Sequence, residues 1–291
     1  MLECYKEVNF KKKSVEMIDR MNAIIGEYLD AGYTLTVRQL YYQLVARDIV
    51  PNTEKSYKQI SSLLNDARIA GHVDWDAIED RTRTFAARPR WTSPQDILDS
   101  VAKQYHTDPW LTQPKRVFLV VEKEALVGVF QRVCRTYDIP LLAARGYPSA
   151  SVLREFASAQ IERAEQEIVI LHFGDHDPSG LDMTRDLIER FEMFGWGHDF
   201  VLKRMALNRD QIEEHNPPPN PAKATDARFL AYRRRHGVSS WELDALPPTV
   251  LNDIAVGEIV KHVDKKAWAK WEAGLEKSRK RLITIAANYK E

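Results

Sequence analysis

The carboxyl-terminal two-thirds of the chain alternates short apolar runs with amphipathic stretches. The apolar runs predict four strands, at residues 117–121, 139–144, 168–173 and 200–205. The stretches between them have apolar residues at helical spacing and predict helices at about 125–137, 151–166 and 181–194. This alternation is typical of an α/β fold with a parallel sheet and helices on both faces.

The amino-terminal third instead shows helical periodicity throughout. It predicts a helix at 14–29, a second that begins at Val37, and a third from about 54 to 70. Thr36 and Gln39 form the capping box that sets the start of the second helix. A short extended piece with Trp75 follows at 72–78. Three helices and a short hairpin are the outline of a winged-helix (CAP-like) domain.

The second predicted helix carries a pair of tyrosines with different environments. Tyr41 lies on the apolar stripe of this helix, so it is predicted to pack in a core. Tyr42 is rotated about 100° off that stripe and lies one turn beyond Arg38. We therefore expect Tyr42 and Arg38 to share an outer face, either as reactive groups or as an ordinary surface stack.

Composition changes between the two regions. A basic segment at 81–90 predicts a connector, and Ser93 with Pro94 begins a helix that runs to about residue 105. We expect a winged-helix domain at 1–91, a linker helix and connector at 92–115, and a parallel α/β domain at 116–291. The last 30 residues are rich in Lys and Arg with Trp268 and Trp271 interleaved. They predict either a helix that follows DNA phosphates or one that packs on its tryptophan side.

Overall charge and cysteine content exclude little. Lys plus Arg and Asp plus Glu number 42 each, so no global positive charge indicates a nucleic-acid partner. Cys4 and Cys134 lack metal-ligand spacing and are predicted to be free thiols. No apolar run approaches membrane-spanning length, and the amino terminus lacks the apolar core of a signal peptide. We expect a cytoplasmic protein with no membrane partner, associated with the nucleoid if bacterial or viral.

Three carboxylates follow two of the predicted strands. Glu122 closes the first strand, and Asp175 and Asp177 follow the third. If these strands are neighbours, the three side chains converge and suit Mg²⁺, which prefers oxygen ligands. The alternative is an acidic turn that only caps the next helix. His176 is expected in a supporting or solvent-facing position, because imidazole is a poor ligand for Mg²⁺.

Four segments together resemble a known family. They are VRQLYY (37–42), VVEK (120–123), RGYPSASVLREF (145–156) and GDHDPSG (174–180), with a weaker likeness at WELDAL (241–246). These segments resemble, in the same order, the Toprim-containing A subunit of type IIB topoisomerases and the related meiotic double-strand-break protein. The chain departs from the family pattern at Ser149, where Asp is usual, and at Arg145, where Lys is common. Its length resembles that of the compact "mini-A" members.

The resemblance implies a winged-helix domain followed by a Toprim-like domain, and a DNA-cleaving enzyme. Tyr42 would be the catalytic nucleophile that forms a 5′-phosphotyrosyl link, with Arg38 on the same phosphate. Mg²⁺ would be held by Glu122, Asp175 and Asp177. The family further implies double-stranded DNA as substrate, a homodimer in which one protomer's tyrosine meets the other's metal, and a possible separate ATPase subunit.

Five further cations are candidate contacts to nucleic acid: Lys55, Lys58, Arg68, Lys123 and Arg145. The first three decorate the outer side of the third helix, which enters a DNA groove in winged-helix proteins. An ordinary solvated face explains these charges equally well.

Three other functions fit the sequence. The first is a Toprim-type nuclease in which water attacks the phosphate and Tyr42 only stacks on DNA. The second is a non-catalytic winged-helix protein that binds DNA. The third is an unrelated Mg²⁺ phosphotransferase that acts on small substrates.

Overall fold

A parallel four-stranded sheet forms the centre of the structure, a computed structural model that describes residues 2–79, 88–161, 165–195 and 198–289. The strands are β1 (Lys115–Val121), β2 (Leu141–Ala143), β3 (Glu167–Phe173) and β4 (Phe200–Ala206). Their order is β2-β1-β3-β4, and every neighbouring pair is parallel. The predicted α/β fold with a parallel sheet is therefore confirmed, and each strand lies at its predicted place.

Alternating side chains of the two central strands supply separate cores on the two faces of the sheet. Val117 and Leu119 of β1 point into one core, while Phe118 and Val120 point into the other. The first core is covered by α5 (Val127–Tyr137) and α10 (Pro248–Ile259). The second is covered by α6 (Ala150–Phe156) and α7 (Pro178–Phe194). Burial on both faces explains why these strands are almost entirely apolar.

Three helices in the amino-terminal part enclose a core of their own. They are α1 (Lys12–Asp30), α2 (Val37–Ala46) and α3 (Glu54–Ile69). The capping box is formed as predicted, since Gln39 N–H donates to Thr36 Oγ1 and the Gln39 side chain accepts from Thr36 N–H. Helix α2 begins at Val37 for this reason.

The hairpin expected after α3 is not seen in the described residues. Trp75–Ala77 forms a 3₁₀ turn instead of an extended piece, because the Asp74 side chain accepts from Asp76 N–H and caps it. Beyond it Ile78 forms only an isolated parallel bridge with Leu35. Most of the predicted connector, residues 81–87, lies outside the described residues. The three helices are confirmed, whereas the winged-helix arrangement stays a prediction.

Helix α4 (Pro94–Gln104) packs along the long carboxyl-terminal helix α11 (Lys265–Ala287). Trp268 packs edge-on against Trp110, and Trp271 Nε1 donates to Thr107 O at 3.0 Å. The tryptophan side of α11 is therefore its packed side, as one of the two alternatives predicted. DNA contact by the charges on its other side stays a prediction.

The remaining elements connect or extend this framework. Helix α6 ends at Phe156 and continues as a π-helical turn, Ala157–Ile161, so the predicted helix at 151–166 was too long. After β4 come α8 (Arg209–His215), the short β5 (Asn220–Pro221), α9 (Phe229–His236) and the short β6 (Ser239–Ser240). Strands β5 and β6 pair antiparallel. Across the described ranges, no helix has both the length and the apolar character needed to cross a membrane.

Candidate active site at the carboxyl edge of the sheet

A cavity of about 890 Å³ lies where the amino-terminal helices meet the carboxyl ends of β1 and β3. The predicted catalytic and metal-binding residues all line it: Arg38, Tyr42, Glu122, Asp175 and Asp177. Other charged side chains in its wall are Glu54, Lys123, Lys223 and Glu242. This edge of a parallel sheet is where α/β proteins usually bind ligands.

The pairing of β1 with β3 brings Glu122 next to Asp175. Val121 lies opposite Phe173 in the register, and Glu122 N–H continues the ladder by donating to Phe173 O at 2.8 Å. Asp175 N–H then donates to Glu122 Oε2 at 2.8 Å. The predicted meeting of these two acidic positions is confirmed, and it follows directly from the neighbouring strands.

Asp177 caps the helix that follows. Its Oδ1 accepts from Gly180 N–H at 2.6 Å and from Ser179 Oγ at 2.8 Å, at the start of α7. The helix-cap alternative is thus correct for one oxygen of Asp177. The same residue still lines the cavity, so capping does not exclude a second role.

The three carboxylates suit Mg²⁺ in chemistry but are not gathered around one point. In the described contacts each carboxylate uses one oxygen: Oε2 of Glu122, Oδ1 of Asp175 and Oδ1 of Asp177. The second oxygen of each has no hydrogen-bond or ion-pair partner among the described residues. However, no group of three His, Cys, Asp or Glu side chains in the described ranges is arranged to hold a metal ion. The predicted convergence of all three residues is therefore only partly realised.

Burial disfavours the charges of the two neighbouring carboxylates. It raises the pKa of Asp175 to about 7, with Lys123 opposing the rise and Glu122 adding to it. Burial likewise raises the pKa of Glu122, against the hydrogen bond from Asp175 N–H. Two acidic groups held together in this way are a common feature of functional sites. A bound divalent cation would relieve the repulsion.

An ion-pair cluster closes one side of the cavity. Arg38 Nη2 lies 2.5 Å from Glu242 Oε2, and Arg38 Nε lies 3.2 Å from Asp244 Oδ2 without hydrogen-bond alignment. Lys123 Nζ donates to Asp244 Oδ1 at 2.8 Å and to Glu242, and lies 3.1 Å from Asp175 Oδ1. Asp244 is completely buried. The cluster joins α2 to the segment after β6.

This cluster corrects one expectation. Lys123 was predicted as a phosphate contact, but its side chain is only 16% exposed and is surrounded by three carboxylates. Arg38 is exposed as expected, with 46% of its side chain accessible, and its guanidinium is in addition paired with Glu242 and Asp244. Sequence reasoning missed both acidic partners as site residues. The available signal was their position in WELDAL, the segment with the weaker family likeness.

Tyr42 is buried, contrary to the prediction of an outward-facing side chain. Only 5% of the residue is exposed, because the 3₁₀ turn Leu243–Ala245 covers this side of α2. Its hydroxyl lies 3.4 Å from Arg38 Nη2 and borders the cavity. Burial raises the pKa of Tyr42, Glu242 raises it further, and Arg38 opposes both. The phenol is therefore held in its neutral form.

Tyr41 is packed inward as predicted, and its hydroxyl is fully engaged. Thr53 N–H donates to it at 2.9 Å, and the carbonyls of Pro51 and Thr53 lie 3.2 and 3.1 Å away. These bonds fix the turn before α3. Of the two phenols, Tyr42 is the one whose hydroxyl has no backbone partner among the described residues.

The other predicted nucleic-acid contacts do not line the cavity. Arg68 is not free on an outer face, since it stacks over Trp75 at 4.4 Å and donates to Trp75 O at 3.0 Å. Lys55 and Lys58 are exposed, and Lys58 pairs with Glu54 at 2.7 Å. Arg145 is exposed and forms two hydrogen bonds with Glu124. Contact of Lys55, Lys58 and Arg145 with DNA stays a prediction.

His176, between the two aspartates, is a buried structural residue and does not face solvent. Its Nδ1 lies 2.9 Å from the hydroxyl of Tyr232 on α9, and its N–H donates to Trp241 O at 2.9 Å. Burial, with His236 adding to the effect, lowers the pKa of His176 to about 4. Sequence reasoning did not find Tyr232, whose position in an arginine-rich helix gives no local signal. This contact links α9 to the loop that carries Asp175 and Asp177.

A single chain supplies both the tyrosine and the carboxylates of this cavity. The family resemblance implied instead that these groups come from two protomers. A comparison with models of protein families and a search of curated proteins found no match to this chain.

Proposed function

We propose that this chain cleaves and rejoins DNA by Mg²⁺-dependent tyrosine transesterification, as a type IIB topoisomerase A-subunit-like enzyme. The observation that carries the proposal is the shared cavity. One phenol, one guanidinium and three carboxylates line it together, although they come from distant parts of the sequence. Metal-assisted phosphoryl transfer to a tyrosine can use this combination of a nucleophile, a cation and a metal-binding acid group.

In the proposed reaction the Tyr42 Oη atom forms a bond to a backbone phosphorus atom. The bond between phosphorus and the 3′ oxygen breaks, the phenol loses its proton, and the 3′ oxygen gains one. The product is a 5′-phosphotyrosyl link with a free 3′ hydroxyl. Because an ester is exchanged without hydrolysis, the reverse reaction reseals the strand.

The chain's own residues have separate roles in this proposal. Arg38 binds a non-bridging phosphate oxygen, and Glu122, Asp175 and Asp177 hold the metal. Bound Mg²⁺ supplies electrostatic stabilisation of the negative charge that builds up on the phosphate and the leaving oxygen. The raised pKa of Tyr42 disfavours the phenolate in the free chain, so we expect activation when substrate and metal are both bound.

The wider assembly follows from the same proposal. The amino-terminal helices would act as a winged-helix module on double-stranded DNA, and the sheet as a Toprim-like domain. Two chains, each with one cavity, would break both strands, and a separate ATPase subunit would drive strand passage if the protein relaxes DNA.

A metal-dependent nuclease is the second candidate function. The burial of Tyr42 favours it, because a water molecule reaches a phosphate in the cavity more easily than a phenol with little exposure. In that case Tyr42 would only contact the DNA, and the cut would not be resealed.

The deciding experiment uses two matched variants, Tyr42→Phe and Tyr41→Phe. Supercoiled plasmid is incubated with each protein and Mg²⁺, the reaction is stopped with detergent, and protein attached to 5′ ends is measured. Transesterification predicts adducts with the wild type and with Tyr41→Phe, and none with Tyr42→Phe. Cleavage by Tyr42→Phe at an unchanged rate, with no adduct from any variant, would instead establish the nuclease.

A further inference from the structure

Residues 220–240 run from the short strand β5 through helix α9 to the short strand β6. We call this segment the arginine excursion. Its base belongs to the cavity wall, since Asn220, Pro221 and Ser240 line the cavity. The same base contacts the amino-terminal helices, because Asn52 Nδ2 donates to Asn220 Oδ1 at 2.7 Å. The arginine excursion therefore begins at the candidate active site.

The helix of this excursion, α9, is held firmly on the main body. Tyr232 is buried on its inner side and contacts His176, between the two acidic residues of the site. At the entrance to the helix Arg228 Nη1 lies 2.9 Å from Asp182 Oδ2, and Arg228 also contacts Asp226 and Tyr147. These contacts fix the direction in which the helix presents its outer side.

The outer side of α9 carries three adjacent arginines, Arg233, Arg234 and Arg235, which we call the arginine triad. All three are exposed, and none has a carboxylate partner among the residues that the structure describes. Lys223 is a fourth exposed cation of the excursion without such a partner, and it lies in the cavity wall. By contrast Arg38, Lys123 and Arg228 are all paired with acids.

The spacing of the triad indicates what kind of anion it fits. Successive residues of an α-helix point about 100° apart. With Tyr232 on the packed side, Arg234 points directly outward, and Arg233 and Arg235 point to the two flanks. Three guanidinium groups that diverge in this way cannot close on one small phosphate. They fit an extended polyanion with phosphates at several positions.

A purely structural explanation also exists. Cations in the last turn of a helix stabilise its dipole, and the triad lies in the last turn of α9. That explanation predicts a small change in stability when the charges are removed, and no change in the binding of nucleic acid.

We propose that the arginine triad is a contact surface for the phosphate backbone of duplex DNA that leaves the cavity. The inference rests on the proposed function, because it takes DNA as the substrate of the same site. It adds a set of binding residues that family resemblance did not indicate, and it places the duplex along α9.

The test measures binding, independently of cleavage. The Tyr42→Phe protein in EDTA is titrated with a fluorescent mixed-sequence duplex of about 30 base pairs at several salt concentrations. One variant adds Arg233→Gln, Arg234→Gln and Arg235→Gln. The matched control adds Lys265→Gln, Lys266→Gln and Lys270→Gln, which removes three exposed charges from α11. That helix begins beside Gln113, at the amino-terminal edge of the sheet and away from the cavity.

We expect the triad variant to lower the salt dependence of binding, by about 0.9 in log K against log salt for each lost phosphate contact. Three contacts give about 2.7, or about 40-fold less sensitivity to salt between 50 and 200 mM. The α11 control should keep the slope of the Tyr42→Phe parent, and Arg→Lys substitution of the triad should restore it. Equal slopes for the parent and the triad variant, or a loss in the α11 control as large as in the triad variant, would overturn the inference.

The outcome also separates this inference from the proposed function. A triad-dependent slope without tyrosine adducts in the plasmid assay would keep the DNA surface and remove transesterification. Tyrosine adducts in the plasmid assay, together with a salt dependence of binding that does not change when the triad is removed, would keep transesterification and remove the DNA surface. Absence of duplex binding by the Tyr42→Phe parent at low salt, both in EDTA and with Mg²⁺, would overturn both.

Discussion

The guanidinium of Arg38 lies 2.5 Å from the carboxylate of Glu242, which is 204 positions away in the chain. This ion pair, with the nearby Asp244, fastens helix α2 to the segment that follows β6. Asp244 is completely buried, and among the described residues Arg38 and Lys123 are the cations that compensate its charge. The cluster therefore holds the tyrosine-bearing helix against the sheet that carries the acidic residues.

Removal of the buried charge should weaken this attachment. We expect Asp244→Asn to lower the free energy of unfolding by about 3 kcal/mol, because it removes the fully buried one of the two carboxylates that Arg38 and Lys123 share. The figure is the lower end for a buried pair, since the Arg38 side chain is 46% exposed and partly screened by water. Urea denaturation measures the change. Glu54→Gln, in the exposed pair with Lys58, is the control and should cost less than about 1 kcal/mol.

Gly180 is required by a close backbone approach. A Cβ atom at this position would lie 2.3 Å from the carbonyl oxygen of Asp175, which cannot move without shifting the acidic loop. We expect Gly180→Ala to destabilise the protein by at least about 3 kcal/mol, the upper end for overpacking, as measured by denaturant unfolding.

Gly257 provides the matched control, because it lies inside α10 and a Cβ atom there would meet nothing within 4 Å. Gly257→Ala should stabilise the protein by up to about 1 kcal/mol through helix propensity. If both alanine variants unfolded at the same urea concentration, the tight contact at Gly180 would have no energetic weight.

Acid should destabilise the fold through His172 on the central strand β3. Burial lowers the pKa of His172 from 6.5 to about 3, with Arg204 adding to the effect. The unfolded chain therefore takes up a proton more readily. The stability gained from neutral His172 is fully present above pH 6.5 and is lost as the pH falls toward 3. Between about pH 4.5 and 5.5, below the unfolded and above the folded pKa, we expect His172→Asn to reduce the slope of unfolding free energy against pH by about 1.4 kcal/mol per unit. Parallel curves for the two proteins would contradict this.

Mg²⁺ should stabilise the folded chain, and more strongly in alkaline solution. Asp175 has its pKa raised to about 7 by burial, with Lys123 opposing and Glu122 adding. Without metal, the folded chain holds the Asp175 proton more tightly than the unfolded chain. The resulting contribution to the free energy of unfolding is fully present below pH 3.8 and is lost as the pH rises through 7. Mg²⁺ binds the ionised form and should restore about 2.7 kcal/mol at a hundredfold excess over its Kd. We expect a larger Mg²⁺-induced rise in Tm at pH 8 than at pH 6.

Two variants make this measurement specific. Asp175→Asn should abolish the Mg²⁺-induced rise in Tm, whereas Asp186→Asn should keep it, because Asp186 pairs with Arg190 and does not line the cavity. An equal rise in Tm for both variants would indicate that the metal binds elsewhere.

Local patterns were sufficient to predict the framework of the fold. The capping box at Thr36 predicted the first residue of α2 correctly, and the β-branched apolar run before Gly174 predicted strand β3. The neighbouring positions of Glu122 and Asp175 followed from the ends of two such runs, since parallel strands end at the same edge.

Contacts between distant segments could not be predicted in this way. A helical wheel compares positions only within α2, so it placed Tyr42 outside without any knowledge of the turn Leu243–Ala245 that covers it. Glu242 and Asp244 were not predicted as site residues, because nothing in their local sequence reveals Arg38 and Lys123 as partners. The end of α6 at Phe156 has no evident cause in the sequence.

The charges in the wall of the candidate active site have one general consequence. Three cations, Arg38, Lys123 and Lys223, face a larger number of carboxylates, which are Glu54, Glu122, Asp175, Asp177 and Glu242. An electronegative chamber of this kind repels a phosphate that arrives without a counter-ion. Occupancy by a nucleic-acid strand and by a divalent ion must then be thermodynamically linked, and each will tighten the binding of the other by the same factor.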